Sequence, residues 1–258
     1  MEGFADDLRI TFVVAKNEMR KHLRGKRIII FVALLAVIFV AITAAFVLLG
    51  DGLGNDPEAL AGIYLAIISL MIIIGATLFA ASSLVSEFTE RTALILFTRP
   101  VRRWSIFMGK MLSSVVLLIA FAAVYYALVG ALCIAGPGSL PSGFGASLGY
   151  TACYCFATVG IAMLVSSLMK TTASASILTF FLLALLLDMV MTIIAIAAGL
   201  DDTWYMLNTA ASAIVDCLGT DITGEEVSVD GFKAVGTMLA WGIVPAALGL
   251  FRFSKRDF

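Results

Sequence analysis

Residues 28–49 read Ile28-Ile29-Ile30-Phe31-Val32-Ala33-Leu34-Leu35-Ala36-Val37-Ile38-Phe39-Val40-Ala41-Ile42-Thr43-Ala44-Ala45-Phe46-Val47-Leu48-Leu49, without one charged side chain. At 1.5 Å of rise per residue, a helix of this length crosses about 30 Å of hydrocarbon. Basic residues precede it as they would a signal peptide, but an h-region is only about 7–15 residues long, so the stretch reads as a retained anchor. Five further runs of the same kind follow: Leu60–Val85, Ile106–Ala135, Ala146–Met169, Thr172–Ala198 and Phe232–Phe251. None breaks into the roughly ten-residue alternating segments of a membrane barrel. The expected fold is all-α, a polytopic transmembrane helical bundle of six spans over residues 28–251.

Composition agrees with this reading. The chain of 258 residues is 61% hydrophobic and 14% charged, with a mean hydropathy of +1.05, where a soluble domain carries about 25% charge. Six spans leave no room for a separate soluble catalytic domain. Gly50-Asp51-Gly52, Gly136-Pro137-Gly138 with Pro141, and the polar stretch Asp201–Asp230 punctuate the runs, and Lys170-Thr171-Thr172 makes the fourth and fifth a tight hairpin. Cys133, Cys153, Cys155 and Cys217 show no metal-type spacing and read as structural or incidental.

The net charge of −1 hides a segregation of sign. Alternate loops hold sixteen of the seventeen Lys and Arg residues, from the N-terminal segment, the loop after the second run, Lys170 and the tail; only Lys233 lies opposite. The other side carries Asp51, Asp56, Glu58, Asp201, Asp202, Asp216, Asp221, Glu225, Glu226 and Asp230. Short cytoplasmic loops retain Lys and Arg, so both termini are expected in the cytoplasm of a multi-pass cell-membrane protein, with 199–231 outside and 252–258 as a cytoplasmic tail.

Residues 1–27 place Phe4, Leu8, Phe12, Ala15, Met19 and Leu23 at steps of three or four, with Arg9, Lys16, Arg20, Lys21 and Arg24 largely elsewhere on the wheel. An amphipathic elbow on the inner leaflet, bracing the first span, is the expectation. Asp6, Asp7 and Glu18 interrupt the basic run and no aromatic reader motif accompanies it, which argues against nucleic acid as a partner and leaves membrane lipids. Outside, Trp204, Leu207, Ala211, Ile214 and Leu218 share one helical face after an Asp202 or Thr203 cap and before Gly219, as in an outer-leaflet helix.

The loop 86–105 is no simple connector. It runs through Glu87 and Glu90, the apolar stretch Ala93–Phe97 with Leu94 and Leu96, and then Arg99-Pro100-Val101-Arg102-Arg103. Such an order suggests a short helix that stops before Pro100 and faces a cytoplasmic partner. Asp188 is the only acid well inside a run. A carboxylate there should face protein or a wet cavity, with Thr192 one turn away and Thr179 and Ser176 farther back, either as part of a path or as a hydrogen-bonded packing residue.

At Glu87, Thr92, Pro100, Arg103, Gly109 and Lys110 the sequence resembles the ABC-2-type ABC transporter permeases, particularly the subgroup of the nitrous-oxide-reductase maturation permease, with Arg91 where that family usually has glycine. The aromatic-basic ending Phe251–Phe258 is similar too. The resemblance implies an ABC-2 exporter fold and a dimer, homodimeric or paired with a paralogue, docked on a cytoplasmic ABC ATPase. It makes the 86–105 loop a coupling element through Glu87, Glu90, Thr92, Leu94, Leu96, Phe97, Pro100 and Arg103. Because spans two and five commonly line the dimer interface of such permeases, it makes Ser69, Thr77, Asp188 and Thr192 candidates for the substrate path.

No cofactor is expected on this chain, which is not expected to be an enzyme; ATP and Mg would sit on the partner ATPase. A Walker loop must end in Gly-Lys-Ser/Thr, and Gly25-Lys26-Arg27 and Gly109-Lys110-Met111 do not. An intramembrane enzyme lacks its residues: His22 is the single histidine, there is no His-Glu-x-x-His, and Asp188 has no second embedded aspartate. A secondary transporter or channel is the alternative function, against which spans nearly free of ionisable groups offer few coupling sites. A structural membrane scaffold is the third.

Overall fold

The computed structural model describes residues 4–49, 56–89, 102–199, 203–219 and 230–255. Among these, six helical segments are long and apolar enough to cross a membrane: Lys26–Leu48, Pro57–Ser86, Arg103–Ala135, Phe144–Leu168, Thr172–Ala197 and Gly231–Ser254. They are the six runs of the sequence, extended by a few residues at most ends.

Helix α1 (Phe4–Arg24) bends at Gly25 into α2 (Lys26–Leu49), the first span. The second span comprises α3 (Pro57–Ala66), α4 (Ile68–Phe79) and α5 (Ser83–Thr89). Then come α6 (Arg103–Ala135) and α7 (Phe144–Leu168) as third and fourth spans. The fifth is α8 (Thr172–Phe181), a π-helical turn over Leu182–Leu186 and α9 (Leu187–Ala198). The short α10 (Leu207–Asp216) precedes α11 (Gly231–Ser254), the sixth span.

In lipid no hydrophobic force drives helices together, so close packing of small residues does much of that work. The α7–α11 crossing depends on it: a Cβ built on Gly160 would lie 2.3 Å from the Gly242 carbonyl oxygen, and one on Gly242 would strike the Phe156 ring at 2.3 Å. Spans two, three, four and six form the bundle's core, which includes Tyr64, Phe79, Phe107, Tyr154 and Met163. The first span joins it through Phe31, whose ring meets Phe79 and Phe121 edge-on at 5.6 and 4.9 Å, and through Thr43, whose hydroxyl is 2.8 Å from that of Tyr64. Most of its other apolar side chains face outward, as do Ile177, Phe181, Leu185, Met189, Ile193 and Ile196 of the fifth.

At one end of the bundle α1, α5, the start of α6 and the end of α11 lie together, so nearly all the described cations share it. At the other, α10 packs on α7, α11 and α3. Of the five residues expected on one face of this helix, Leu207, Ala211, Ile214 and Leu218 are buried there against the span ends and Trp204 is exposed. The expected cap is displaced: the helix starts after Met206, with no side-chain cap. The helix is tied down by Ser147 donating to Ile214 O at 2.5 Å, Thr237 to Trp204 O at 3.2 Å and the Trp241 indole to Tyr205 O at 3.0 Å. It is therefore docked into the span ends rather than floating on a leaflet.

Candidate functional site

The basic end is built around a break in the second span. The α-helical ladder lapses over Ala80-Ala81-Ser82, and carbonyls released at such a break need partners, since hydrocarbon supplies none. Arg27 supplies two contacts, a guanidinium hydrogen bond to Leu78 O at 3.3 Å and one to the Ser82 hydroxyl. Lys110, from the third span, donates to Ser83 O at 2.9 Å. Its ammonium is also 2.5 Å from Glu18 Oε1 on α1, and Lys110 is 0% exposed and Glu18 only 8%.

Close approach of α1 to α6 makes this pair possible. A Cβ at Gly109 would lie 2.8 Å from Thr11 O and 2.9 Å from the Val14 side chain, so only glycine lets the two helices cross here. The adjacent Gly109-Lys110 thus forms a helix crossing with an ionic lock. On α1 the inward stripe is Asp7, Thr11, Ala15 and Glu18, all buried, while Leu8, Phe12, Val13 and Leu23 are exposed. Of the apolar face expected from periodicity, Leu8, Phe12 and Leu23 are exposed, whereas Ala15 is covered and Met19 packs partly against the core. The expected bracing is to the first span; in the structure α1 lies mainly along the third span.

Asp7 is 1% exposed and balanced by the Arg102 guanidinium 3.0 Å from its Oδ2, an off-line approach that makes an ion pair without a hydrogen bond. Arg103, the next residue, donates to Ser254 O at 2.8 Å and fastens the start of α6 to the end of α11. His22 packs edge-on to Phe79 with centroids 5.4 Å apart, and its Nε2 is 4.0 Å from Glu18 Oε2. Burial pushes its imidazole down to about 4 despite the nearby Glu18 carboxylate, with Lys110 adding to the depression.

In the sequence the coupling candidates run from α5 to the start of α6, and Arg103 is itself one of these anchors. Glu87 lies in α5, while Glu90, Thr92, Leu94, Leu96, Phe97 and Pro100 lie outside the described residues. Arg103 is half-buried at the far flank. Of the path candidates, Ser69 is half-buried on α4, and Thr77 is buried with its hydroxyl donating to Ile74 O at 2.6 Å. Ser176 donates to the Thr77 carbonyl at 3.2 Å and joins the fifth span to the second. The Thr179 hydroxyl bonds its own helix at Ala175 O, 2.7 Å away.

Asp188 is half-buried, and its neighbour differs from the expected one. Thr192 is exposed, whereas Asn208 at the start of α10 donates to Asp188 Oδ2 at 2.7 Å. Asp188 follows the π-helical turn by two residues, and single π turns in α-helices often mark functional places. The turn and the Asn208 amide together aim the carboxylate at the inserted helix rather than along its own.

The residues that sequence reading missed are Asp7, Glu18 and Asn208. A signal existed for the first two, because Asp7, Thr11, Ala15, Glu18 and His22 follow one another at helical steps of three and four. No curated protein sequence gives a significant match to the chain. The family model described as ABC-2 family transporter protein matches residues 12–258, from α1 through all six spans to the last residue, and the chain belongs to that family.

Proposed function

We propose that this permease is the membrane half of an ABC exporter, two copies or one copy and a paralogue forming the substrate path, each docked on a separate cytoplasmic ATPase that binds ATP and Mg. The observation that carries the reading is the anchoring on both sides of residues 90–101. Ahead of them, Lys110 holds Ser83 O; behind them, Arg102 pairs with Asp7 and Arg103 holds Ser254 O. A segment that must transmit force needs fixed ends, whereas a connector does not. Its apolar residues Leu94, Leu96 and Phe97 favour docking, since burying side chains of this size yields roughly 1.5–3 kcal/mol each.

The orientation rests on the basic end facing the cytoplasm. The outward apolar faces of the first and fifth spans suit lipid or a second copy, and the fifth carries Asp188 at its edge. The subgroup resemblance to the nitrous-oxide-reductase maturation permease belongs to the same proposal. Affinity purification from its own membrane tests the reading: a soluble ATPase should accompany the chain, and the isolated chain should hydrolyse no ATP. Robust hydrolysis by the isolated chain overturns it. Leu96→Asp or Phe97→Asp should abolish recovery of the ATPase while the permease remains folded in the membrane.

A further inference from the structure

At the basic end, away from the Lys110 knot, the turn between the fourth and fifth spans meets the end of the sixth around a cavity of about 250 Å³, lined by Ser167, Leu168, Lys170, Arg252 and Lys255. At ~30 Å³ per water this holds several waters, or one phosphate group and its nearest shell. Three cations converge on it from two separate elements, and among the described residues none of the three has a carboxylate partner. The ordinary role of a cation at a helix end is to offset the end's partial negative charge. That accounts for Arg252 and Lys255 at the end of α11 but not for Lys170, which sits before the N-terminal end of α8, where a positive charge is unfavourable.

The surroundings select the ligand. Lys255 lies over the Phe251 ring with its ammonium 4.3 Å from the centroid, and Leu168 is an exposed apolar side chain of the cavity wall. Phe251 and Leu248 are exposed apolar side chains four residues before Lys255 and Arg252 respectively on α11, at helical neighbour spacing. A site with cations at its mouth and bare apolar surface on its membrane side matches an amphiphile whose anion and chains are joined, as basic pockets between transmembrane helices match anionic headgroups. We propose that Lys170, Arg252 and Lys255 form a binding site for the phosphate of an anionic membrane lipid, whose acyl chains lie along Leu168, Leu248 and Phe251.

The test uses the full chain, purified in a neutral detergent and titrated with phosphatidylglycerol, phosphatidylcholine or inorganic phosphate while thermal stability is followed, since a ligand of the native state raises the midpoint. Phosphatidylglycerol should raise it and phosphatidylcholine should not. Each charge removed, by Arg252→Gln or Lys255→Gln, should weaken the phosphatidylglycerol effect about fivefold, and Arg252→Lys should retain most of it. The paired control Lys16→Gln with Arg20→Gln, on the exposed side of α1, should leave the effect intact. Equal loss in that control shows diffuse surface attraction and overturns the site. So does an undiminished response in the Arg252→Gln/Lys255→Gln double variant. Equal protection by inorganic phosphate overturns the lipid assignment in favour of a free anion. A fully stable double variant that loses its ATPase while binding lipid as wild type does assigns the cations to the partner and also overturns it.

Discussion

The Lys110 ammonium, wholly removed from solvent, lies 2.5 Å from the Glu18 carboxylate across the Gly109 crossing of α1 and α6. A buried ion pair need not stabilise a fold relative to apolar residues, but removing one partner strands the other at a cost of about 3–5 kcal/mol. Lys110→Met should therefore be severely destabilising, because Glu18 then keeps a charge with no counterion. Glu18→Gln with Lys110→Met should recover much of that loss. A double-mutant cycle on thermal stability in detergent checks it; additive effects would show that the pair is not coupled.

His22 gives the same knot a pH dependence. Its imidazole is held neutral by burial, with a pKa near 4 in the fold against about 6.5 in the unfolded chain. Between those values the unfolded chain binds more protons, so stability rises with pH there. The contribution is complete above about 6.5, falls as the medium is acidified toward 4, and changes no further below. The slope approaches one proton, about 1.4 kcal/mol per pH unit. His22→Phe should lose this slope, so that the wild-type minus variant difference falls as the pH is lowered from about 6.5 toward 4, and a difference independent of pH from 7 to 4 would falsify this account.

Glycine substitutions should separate close crossings from open surface. Gly160→Ala forces a Cβ to 2.3 Å from a backbone oxygen of the sixth span, whereas a Cβ at Gly236 meets nothing within 4 Å. Overpacking of this kind typically costs about 1–3 kcal/mol. Gly160→Ala should lower the midpoint of thermal unfolding and Gly236→Ala should leave it unchanged or raise it. Comparable losses at both positions would count against the close α7–α11 packing at Gly160 and Gly242.

The six spans were legible in the sequence because each is an uninterrupted apolar run, a signal that needs no knowledge of neighbours. Sign segregation of the loops likewise predicts which ends lie together, and Arg103 does reach Ser254. What stayed hidden required pairing between distant elements. Glu18 read as an interruption of a basic stretch because its partner lies 92 residues on. Asp188 was seen as an isolated acid, yet its neighbour Asn208 arrives from a helix whose insertion depth no local pattern encodes. Periodicity gives the faces of a helix, not which of its neighbours each face meets.

The Asp188–Asn208 contact leads to a prediction about transport. If the carboxylate acts by its charge, Asp188→Asn should reduce transport at normal expression, while Asn208→Ala should alter it less and mainly by loosening α10. If Asp188 only packs, both variants should lose thermal stability and transport per folded molecule should match wild type. Vesicle assays with transport normalised to folded protein distinguish the two. The charge role is the expected outcome, because Asp188 is half-buried beside a π turn and a purely structural site would be served by asparagine.

The flank of the proposed coupling segment offers the sharpest rescue. Arg102 is largely exposed, with 61% of its side chain accessible, but the Asp7 carboxylate that it balances has 1%. Truncating an exposed arginine normally changes little, since surface pairs contribute about 0–1 kcal/mol. Here Arg102→Gln leaves a buried carboxylate unopposed, a far larger penalty. α1 should then lift from the start of α6, and recovery of the ATPase should fall even though Arg102 itself is conservatively replaced. Adding Asp7→Asn removes the stranded charge and should restore both α1 docking, read as protection of α1 from limited proteolysis, and ATPase recovery. If Arg102→Gln weakens ATPase recovery while α1 stays protected and Asp7→Asn fails to rescue it, Arg102 contacts the partner directly. The Asp7 pair would then have no part in coupling.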